Sequence, residues 1–388
     1  MTRTSKVGLV ALVAAVLGIF ISGCSNKTTP TEPKESNEPQ VLLSVSNPEV
    51  RNVIEVQDRQ TENLMQDPEV VGTATGINSA GKLAILVFLK SDKQLDAMPH
   101  TLDGIPVEPH VTGEFRAYAT SSDMPHENRY SRPISLGVFG VSRSQSDHSG
   151  YCSGGGTLGC LVQWNGTQFI LSNSHVFWPD NRSSASSPYM SLVGDPISQP
   201  GYLYPNCQTD PRNYVARLVR FTTVLPTSRA NVDCAIAEVI PGQVRTDGFI
   251  VDIGRVSRNP IQPAIGMKVK KSGSRTGLTR SSIFGIHGTV DVKYEIEPNG
   301  PGYTRRYTNQ VMIWGWKPLI PIPGRPMPQR FAARGDSGSL VVQDVTLNPR
   351  PVALFFAGTG LVLCGNPIQE VLDFLGVTMV GVGSVPTD

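Results

Sequence analysis

Apolar positions along this chain change period several times, and each change marks an element. After Asn47-Pro48, a helix N-cap followed by an N1 proline, Val50, Val53, Ile54 and Leu64 recur at helical spacing. Apolar runs from Val70 to Ile77 and from Leu83 to Leu89 predict two strands, joined by the hairpin turn Asn78-Ser79-Ala80-Gly81. Ile105 to Thr112 predicts a third strand, which Pro106 and Pro109 assign to an edge. Together residues 43–118 read as a small α/β domain. Farther on, Phe169-Ile170-Leu171 is a short strand running into Ser172-Asn173-Ser174 and then His175. Alternation through 231–237 puts Val232, Cys234 and Ile236 on one face of a strand and Asp233 on the other. Leu340-Val341-Val342 predicts a strand directly after Gly335-Asp336-Ser337-Gly338-Ser339.

The first residues have a different pattern. Arg3 and Lys6 precede an apolar run of 15 residues, Val7 to Ile21. That length suits a signal-peptide core and is short of the roughly 20 residues a membrane span needs. Ile21-Ser22-Gly23-Cys24 then resembles the bacterial lipobox, which implies a signal peptide over 1–23, diacylation of Cys24 and attachment to a membrane through several acyl chains. Ser25, rather than Asp, resembles the outer-membrane-sorted type. Ser25 to Gln40 contains three prolines and no apolar side chain, so residues 24–42 read as a tether that cannot bury enough surface to fold and reaches at most roughly 50 Å. Residues 119–133, with Ser121, Ser122 and Pro125, read as a linker to a domain over 134–388.

Composition narrows the partners. With 34 basic and 32 acidic residues the formal charge is +2, and no Lys/Arg block is interleaved with aromatics, which argues against nucleic acid. The 38 glycines and 31 prolines suit a turn-rich β protein. After Cys24 five cysteines remain, Cys152, Cys160, Cys207, Cys234 and Cys364; the odd count leaves at least one unpaired, and Cys234 on its apolar face is the choice for a buried free thiol. There is no CxxC or HExxH, so neither metal nor cofactor is expected.

Ser337 has the context of a nucleophile. A serine hydroxyl needs a base to take its proton and donors to hold the oxyanion that follows, and the small residues around it let the N–H groups of Gly335 and Ser337 point at one oxygen. All six histidines precede it, which excludes the α/β-hydrolase order and leaves His-Asp-Ser or Asp-His-Ser. His175 falls at a strand end, and Asp233 is a carboxylate in an apolar strand, costly there without a partner. An imidazole Nδ1–H is such a partner. His287, in Ile286-His287-Gly288-Thr289, reads as an ordinary strand residue, because Ser337 opens a strand and not a helix.

These blocks resemble the trypsin-like serine peptidases: Gly156-Thr157-Leu158-Gly159-Cys160, Leu171-Ser172-Asn173-Ser174-His175-Val176, Asp233-Cys234-Ala235-Ile236-Ala237 and Gly335 to Ser339. Gly266 to Val269 leading to Lys271-Ser272-Gly273-Ser274-Arg275-Thr276-Gly277 is similar to the bacterial members. Phe355 to Thr359 with Gly365-Asn366-Pro367-Ile368 is similar to the bacterial and plant narrow-leaf-type branch. The resemblance covers residues 134–386. It implies two six-stranded antiparallel β-barrels with a site between them, His175 as base, Asp233 orienting it, Ser337 as nucleophile, and Gly335 and Ser337 N–H groups as the oxyanion hole. It implies a polypeptide substrate. Phe331, six residues before Ser337, stands where trypsin has an acidic residue, so a basic preference is not expected; Phe331, Phe356, Ala357 and Gly358 are the candidate specificity-pocket residues. The serine that usually supports the triad aspartate is replaced by this Phe356-Ala357-Gly358 stretch. Residues 43–118 are similar to the small domain preceding some bacterial peptidases of this branch, either a pro-domain that chaperones or occludes the cleft or a permanent accessory module. The reading is a membrane-tethered serine endopeptidase, exported to the outer membrane or surface of a bacterium; its alternative is a catalytically silent peptide-binding module on the same fold.

Overall fold

Asn47 starts the first element: its Oδ1 accepts from the Glu49 N–H at 2.8 Å, Pro48 takes the first turn, and helix α1 runs Pro48–Leu64. The computed structural model describes residues 43–117, 126, 128–142, 155–177, 192–201, 210–295, 302–315 and 330–383. The expected signal segment over 1–23, Cys24, the expected tether, the first part of the expected linker, Cys152 and Cys207 lie outside the described residues. Strands β1 (Val70–Ile77) and β2 (Leu83–Leu89) follow α1, and Gly81 in their turn adopts φ 75°. Next come β3 (Thr101–Leu102), β4 (Ile105–Val111) and β5 (Phe115–Ala117). The expected third strand is β4, but it lies between β2 and the two-residue β3, so β3 forms the edge.

The first barrel is made by β6 (Val138–Ser142), β7 (Gly156–Leu158), β8 (Cys160–Trp164), β9 (Thr167–Ser172), helix α2 (Ser174–Phe177), β10 (Pro196–Ser198), β11 (Tyr214–Phe221) and β12 (Ala235–Val239). The sheet order is β8-β9-β12-β11-β10-β6-β7. Only Gly159 separates β7 from β8, so the two ends of this sheet are one bent strand and the sheet closes as six strands. A Cβ at Gly159 would collide with the Gly338 carbonyl oxygen and lie 2.9 Å from that of Leu171. This bend therefore also brings the two barrels into contact.

After the short pair β13 (Phe249–Ile250) and β14 (Gly254–Arg255), the second barrel takes β15 (Lys268–Gly273), β16 (Gly277–Glu295), β17 (Gly302–Trp314), β18 (Leu340–Gln343), β19 (Pro351–Gly358) and β20 (Val362–Pro367). Its order is β15-β18-β19-β20-β17-β16, and β16 returns to β15 to close a second six-stranded antiparallel barrel. Helix α3 (Ile368–Leu375) and β21 (Thr378–Met379) carry the chain back, β21 pairing with β8. The architecture is mainly β, as the sequence implies. Among the described residues no helix is long and apolar enough to cross a membrane.

The N-terminal segment joins the second barrel through β16. Strand β16 is 19 residues long and outlasts the barrel, which would leave an edge of unpaired N–H and C=O groups. That edge takes β15 as far as Ser282, β1 from Gly285 to Val290, and β5 at Val292 and Lys293. Val50 of α1 packs into the same apolar cluster as Ile265, Ile286 and Val311 of the second barrel. Residues 43–117 thus extend the second barrel's sheet, and residues 42–388 form one compact unit. The physical reason is that β1 finds on β16 a ladder partner for its otherwise open edge, while the segment keeps an apolar cluster of its own that includes Val53, Val56, Val70, Ile85 and Val87.

Candidate active site

Strand β9 ends at Ser172, and the single helical turn of α2 turns His175 back toward Asp233. Asp233 sits just before β12, not within it, and is fully buried. Four donors converge on its carboxylate. Oδ1 accepts from the N–H groups of Ser174 at 2.7 Å and His175 at 3.2 Å; Oδ2 faces His175 Nδ1 at 2.6 Å and accepts from the Tyr294 hydroxyl at 2.9 Å. Burial alone would push this carboxyl up; the His175 ring and the hydrogen bonds outweigh it and hold Asp233 below the ordinary carboxylate range. A carboxylate can only accept, so Nδ1 carries the hydrogen and neutral His175 presents a lone pair at Nε2. Among the described residues that Nε2 is buried without a hydrogen-bond partner.

Two further side chains fix Asp233 from behind. Asn173 Nδ2 donates to its carbonyl at 2.7 Å, and Asn366 of β20 accepts from its N–H at 3.0 Å, tying the second barrel to the first. Tyr294 and Tyr307 are the part that the sequence reading did not find. Their hydroxyls are 2.6 Å apart; since the one proton of Tyr294 goes to Asp233, Tyr307 donates to Tyr294. Burial first, and then the Asp233 charge, raise both phenols well above the ordinary tyrosine range, so both stay protonated. The pair does the supporting work expected of the missing serine. Val290, Val292 and Tyr294 alternate on one buried face of β16, a pattern that marks Tyr294 as core and does not reveal its partner.

Ser337 lies in the turn between barrels. Gly335 and Gly338 adopt φ 101° and 93°, a region that suits glycine, and a Cβ at Gly338 would strike Ser172 Oγ and the Thr157 carbonyl. Thr157 of β7 pins the turn: its N–H donates to Ser337 O at 2.8 Å and its hydroxyl to Gly335 O at 3.0 Å. The Asp336 carboxylate accepts from the N–H groups of Arg275, Thr276 and Ala333 and pairs with buried Lys271 at 3.3 Å. Breaking such a buried pair on one side costs about 3–5 kcal/mol, so the turn is rigidly braced. Turn and base are neighbours, because a Cβ built on Gly156 would lie 2.8 Å from both Ser337 O and Val176 Cγ2. The Ser337 hydroxyl donates to the Phe356 carbonyl at 3.2 Å, not to His175 Nε2.

Other candidates fall elsewhere. Phe331 is buried in the second barrel's apolar cluster with Val341 and Phe355, its ring 5.7 Å from Lys271 Nζ, whereas Phe356 and Ala357 belong to a different cluster that includes Phe115. His287 reads as expected, away from the site: its Nε2 meets Asp58 at 2.8 Å and its Nδ1 meets Asn309. Cys234 is a buried free thiol, as are Cys160 and Cys364. Among the described residues no group of three or more His, Cys, Asp or Glu side chains is placed to hold a metal.

The strand order and the site define the class: two closed six-stranded barrels, with His175 and Asp233 on the first and Ser337 on the second, are the trypsin-like fold. No known family profile matches this chain, and no curated protein matches it. Among solved structures it is similar to protease A of Thermobifida fusca, at 14% identity and a TM-score of 0.39 over 64% of this chain and 99% of that one. It is also similar to a glutamic acid specific serine protease, at 19% identity and 0.36 over 63% and 100%. Cellulomonas bogoriensis chymotrypsin matches at 14% and 0.32, over 58% and 91%.

Proposed function

We propose that this chain is a serine endopeptidase. The observation that carries the reading is the oriented pair Asp233–His175, at 2.6 Å, beside a braced Ser337. In the reaction the Ser337 hydroxyl turns from Phe356 O to His175 Nε2, Oγ bonds to the substrate carbonyl carbon, and its proton passes to Nε2. The new imidazolium faces the Asp233 carboxylate. The oxyanion is held by the N–H groups of Gly335 and Ser337, neither of which donates in the backbone hydrogen bonds of the described residues. Nε2–H then gives its proton to the departing amine, and water repeats both steps on the acyl ester. The absence of an acidic residue at Phe331, six residues before Ser337, supports an apolar or small residue next to the scissile bond over a basic one. A silent binding module would have no use for a tyrosine pair holding Asp233 as a hydrogen-bond acceptor.

Fluorophosphonate treatment followed by peptide mapping tests the reading. Label is expected on Ser337, in the full chain or once Arg116→Pro or Ala117→Pro loosens β5 from the edge of β19. A folded protein that takes up no label in either form would overturn it. We also propose export and lipid anchoring at Cys24, supported by the Val7–Ile21 apolar run and the Ile21-Ser22-Gly23-Cys24 sequence. Radiolabelled palmitate should enter the wild-type chain in bacteria and not the Cys24→Ser chain; equal uptake by both would contradict the anchor.

A further inference from the structure

One edge of β19 is taken by three different pieces of chain in turn. Strand β18 pairs with it up to Leu354. The catalytic turn follows, with Gly338 N–H donating to Phe355 O at 2.9 Å and the Ser337 hydroxyl to Phe356 O. Beyond that point β5 pairs antiparallel, Ala117 opposite Ala357 and Arg116 opposite Gly358. The far edge of β19 is already used by β20. The Ala357–Gly358 edge is thus the ladder position next to the nucleophile, and it is where an extended peptide adds to a sheet.

The direction of β5 matters as much as its position. Read from Arg116 to Ala117, it runs toward Phe356, so its C-terminal end is the end nearest Ser337. The acyl side of a scissile bond is the N-terminal side, so a substrate held on this edge must run the same way. The strand is anchored on its second side by β16, where Phe115 pairs with Val292 and Arg116 with Lys293. The Phe115 side chain is fully buried, its ring 5.7 Å from Phe88 and in the same cluster as Phe356 and Ala357. Ser337 is 0% exposed and the His175 side chain 7%.

We infer that β5 is a built-in competitor that occupies the acyl-side substrate edge and holds the site latent. The inference rests on the serine-peptidase reading of the same site. An incoming polypeptide must displace residues 115–117 from β19, so the full chain hydrolyses slowly and strand release is the activating event. Substrates then bind as an added antiparallel strand on Ala357 and Gly358.

The test compares the full chain with Arg116→Pro and Ala117→Pro. Successive N–H groups of a strand point to opposite neighbours, so one proline removes a donor toward β19 and the other toward β16. Peptide hydrolysis and fluorophosphonate labelling of Ser337 should rise at least tenfold in the variants, with cooperative thermal melting retained. A synthetic peptide of residues 113–117 should inhibit the released variant competitively. Labelling of the unmodified chain supplies a measurement that needs no variant: its rate should plateau with probe concentration, because strand opening becomes limiting. Equal rates in all three chains, with labelling linear in probe, would overturn latency while leaving the peptidase intact. No label on Ser337 in a folded proline variant would overturn the peptidase reading and latency together.

Discussion

Ser337→Ala, made in a released chain, is expected to lower kcat by on the order of 10⁴-fold or more with little change in KM, and to abolish fluorophosphonate uptake. The size follows from what the hydroxyl does: it forms the bond to the substrate carbon, and no other described side chain shares the turn with an equivalent oxygen positioned toward Phe356. Stability should scarcely move. In the resting protein that hydroxyl makes one hydrogen bond, to Phe356 O at 3.2 Å, worth about 0.5–1.5 kcal/mol. The brace of the turn, Thr157 to Gly335 and Ser337, and Lys271 to Asp336, does not involve it. Melting measured beside hydrolysis therefore separates lost chemistry from lost fold. Adding His175→Ala to Ser337→Ala should reduce the residual rate no further, because base and nucleophile act as one unit. A Ser337→Ala protein that hydrolyses peptide at the released chain's rate would end the proposal.

Much of this site was legible in the chain because its parts are local. His175 follows a visible apolar strand, Asp233 is a charge set among apolar neighbours in sequence, and the small residues around Ser337 mark a sharp turn. The N-terminal elements were legible for the same reason: Asn47-Pro48 caps α1, and the two strands of the hairpin stand where their apolar runs stand. What the chain did not show was how residues 43–117 join the second barrel's sheet. The pairing of Gly72 with Val290 and Gly76 with Gly285 joins segments some 200 residues apart, and apolar period carries no information about which edge a strand will choose. Strand β5 has three residues, too few for any period to show. Tyr294 escaped because alternation in β16 marks it as core; only the fold reveals that its hydroxyl reaches a carboxylate on the other barrel. Phe331 was singled out by its distance from Ser337 in sequence, and its ring packs in the second barrel's apolar cluster.

Asp233→Asn should also cost about 10⁴-fold in kcat, through the tautomer of His175 and with the overall geometry kept. The amide has one acceptor oxygen and one NH₂ group. Two backbone N–H groups, from Ser174 and His175, already point at Oδ1, so the oxygen must stay there. The NH₂ then faces His175 Nδ1 and the Tyr294 hydroxyl, and Nδ1 has to become the acceptor. The ring hydrogen moves to Nε2, which can no longer take the Ser337 proton. Tyr294→Phe, by contrast, removes one donor and leaves both the carboxylate and the tautomer, so its loss should be far smaller. Stability gives an independent reading. Because the folded protein holds the Asp233 carboxyl below its ordinary range, its contribution is complete above the unfolded value of about 3.9 and is lost as pH falls through the lower folded value. The gap in melting temperature between wild type and Asp233→Asn should therefore be widest near neutral pH and narrow as the solution is acidified below about 3.9. A gap that widens on acidification would mean that Asp233 is held protonated in the fold, and that His175 does not face a carboxylate.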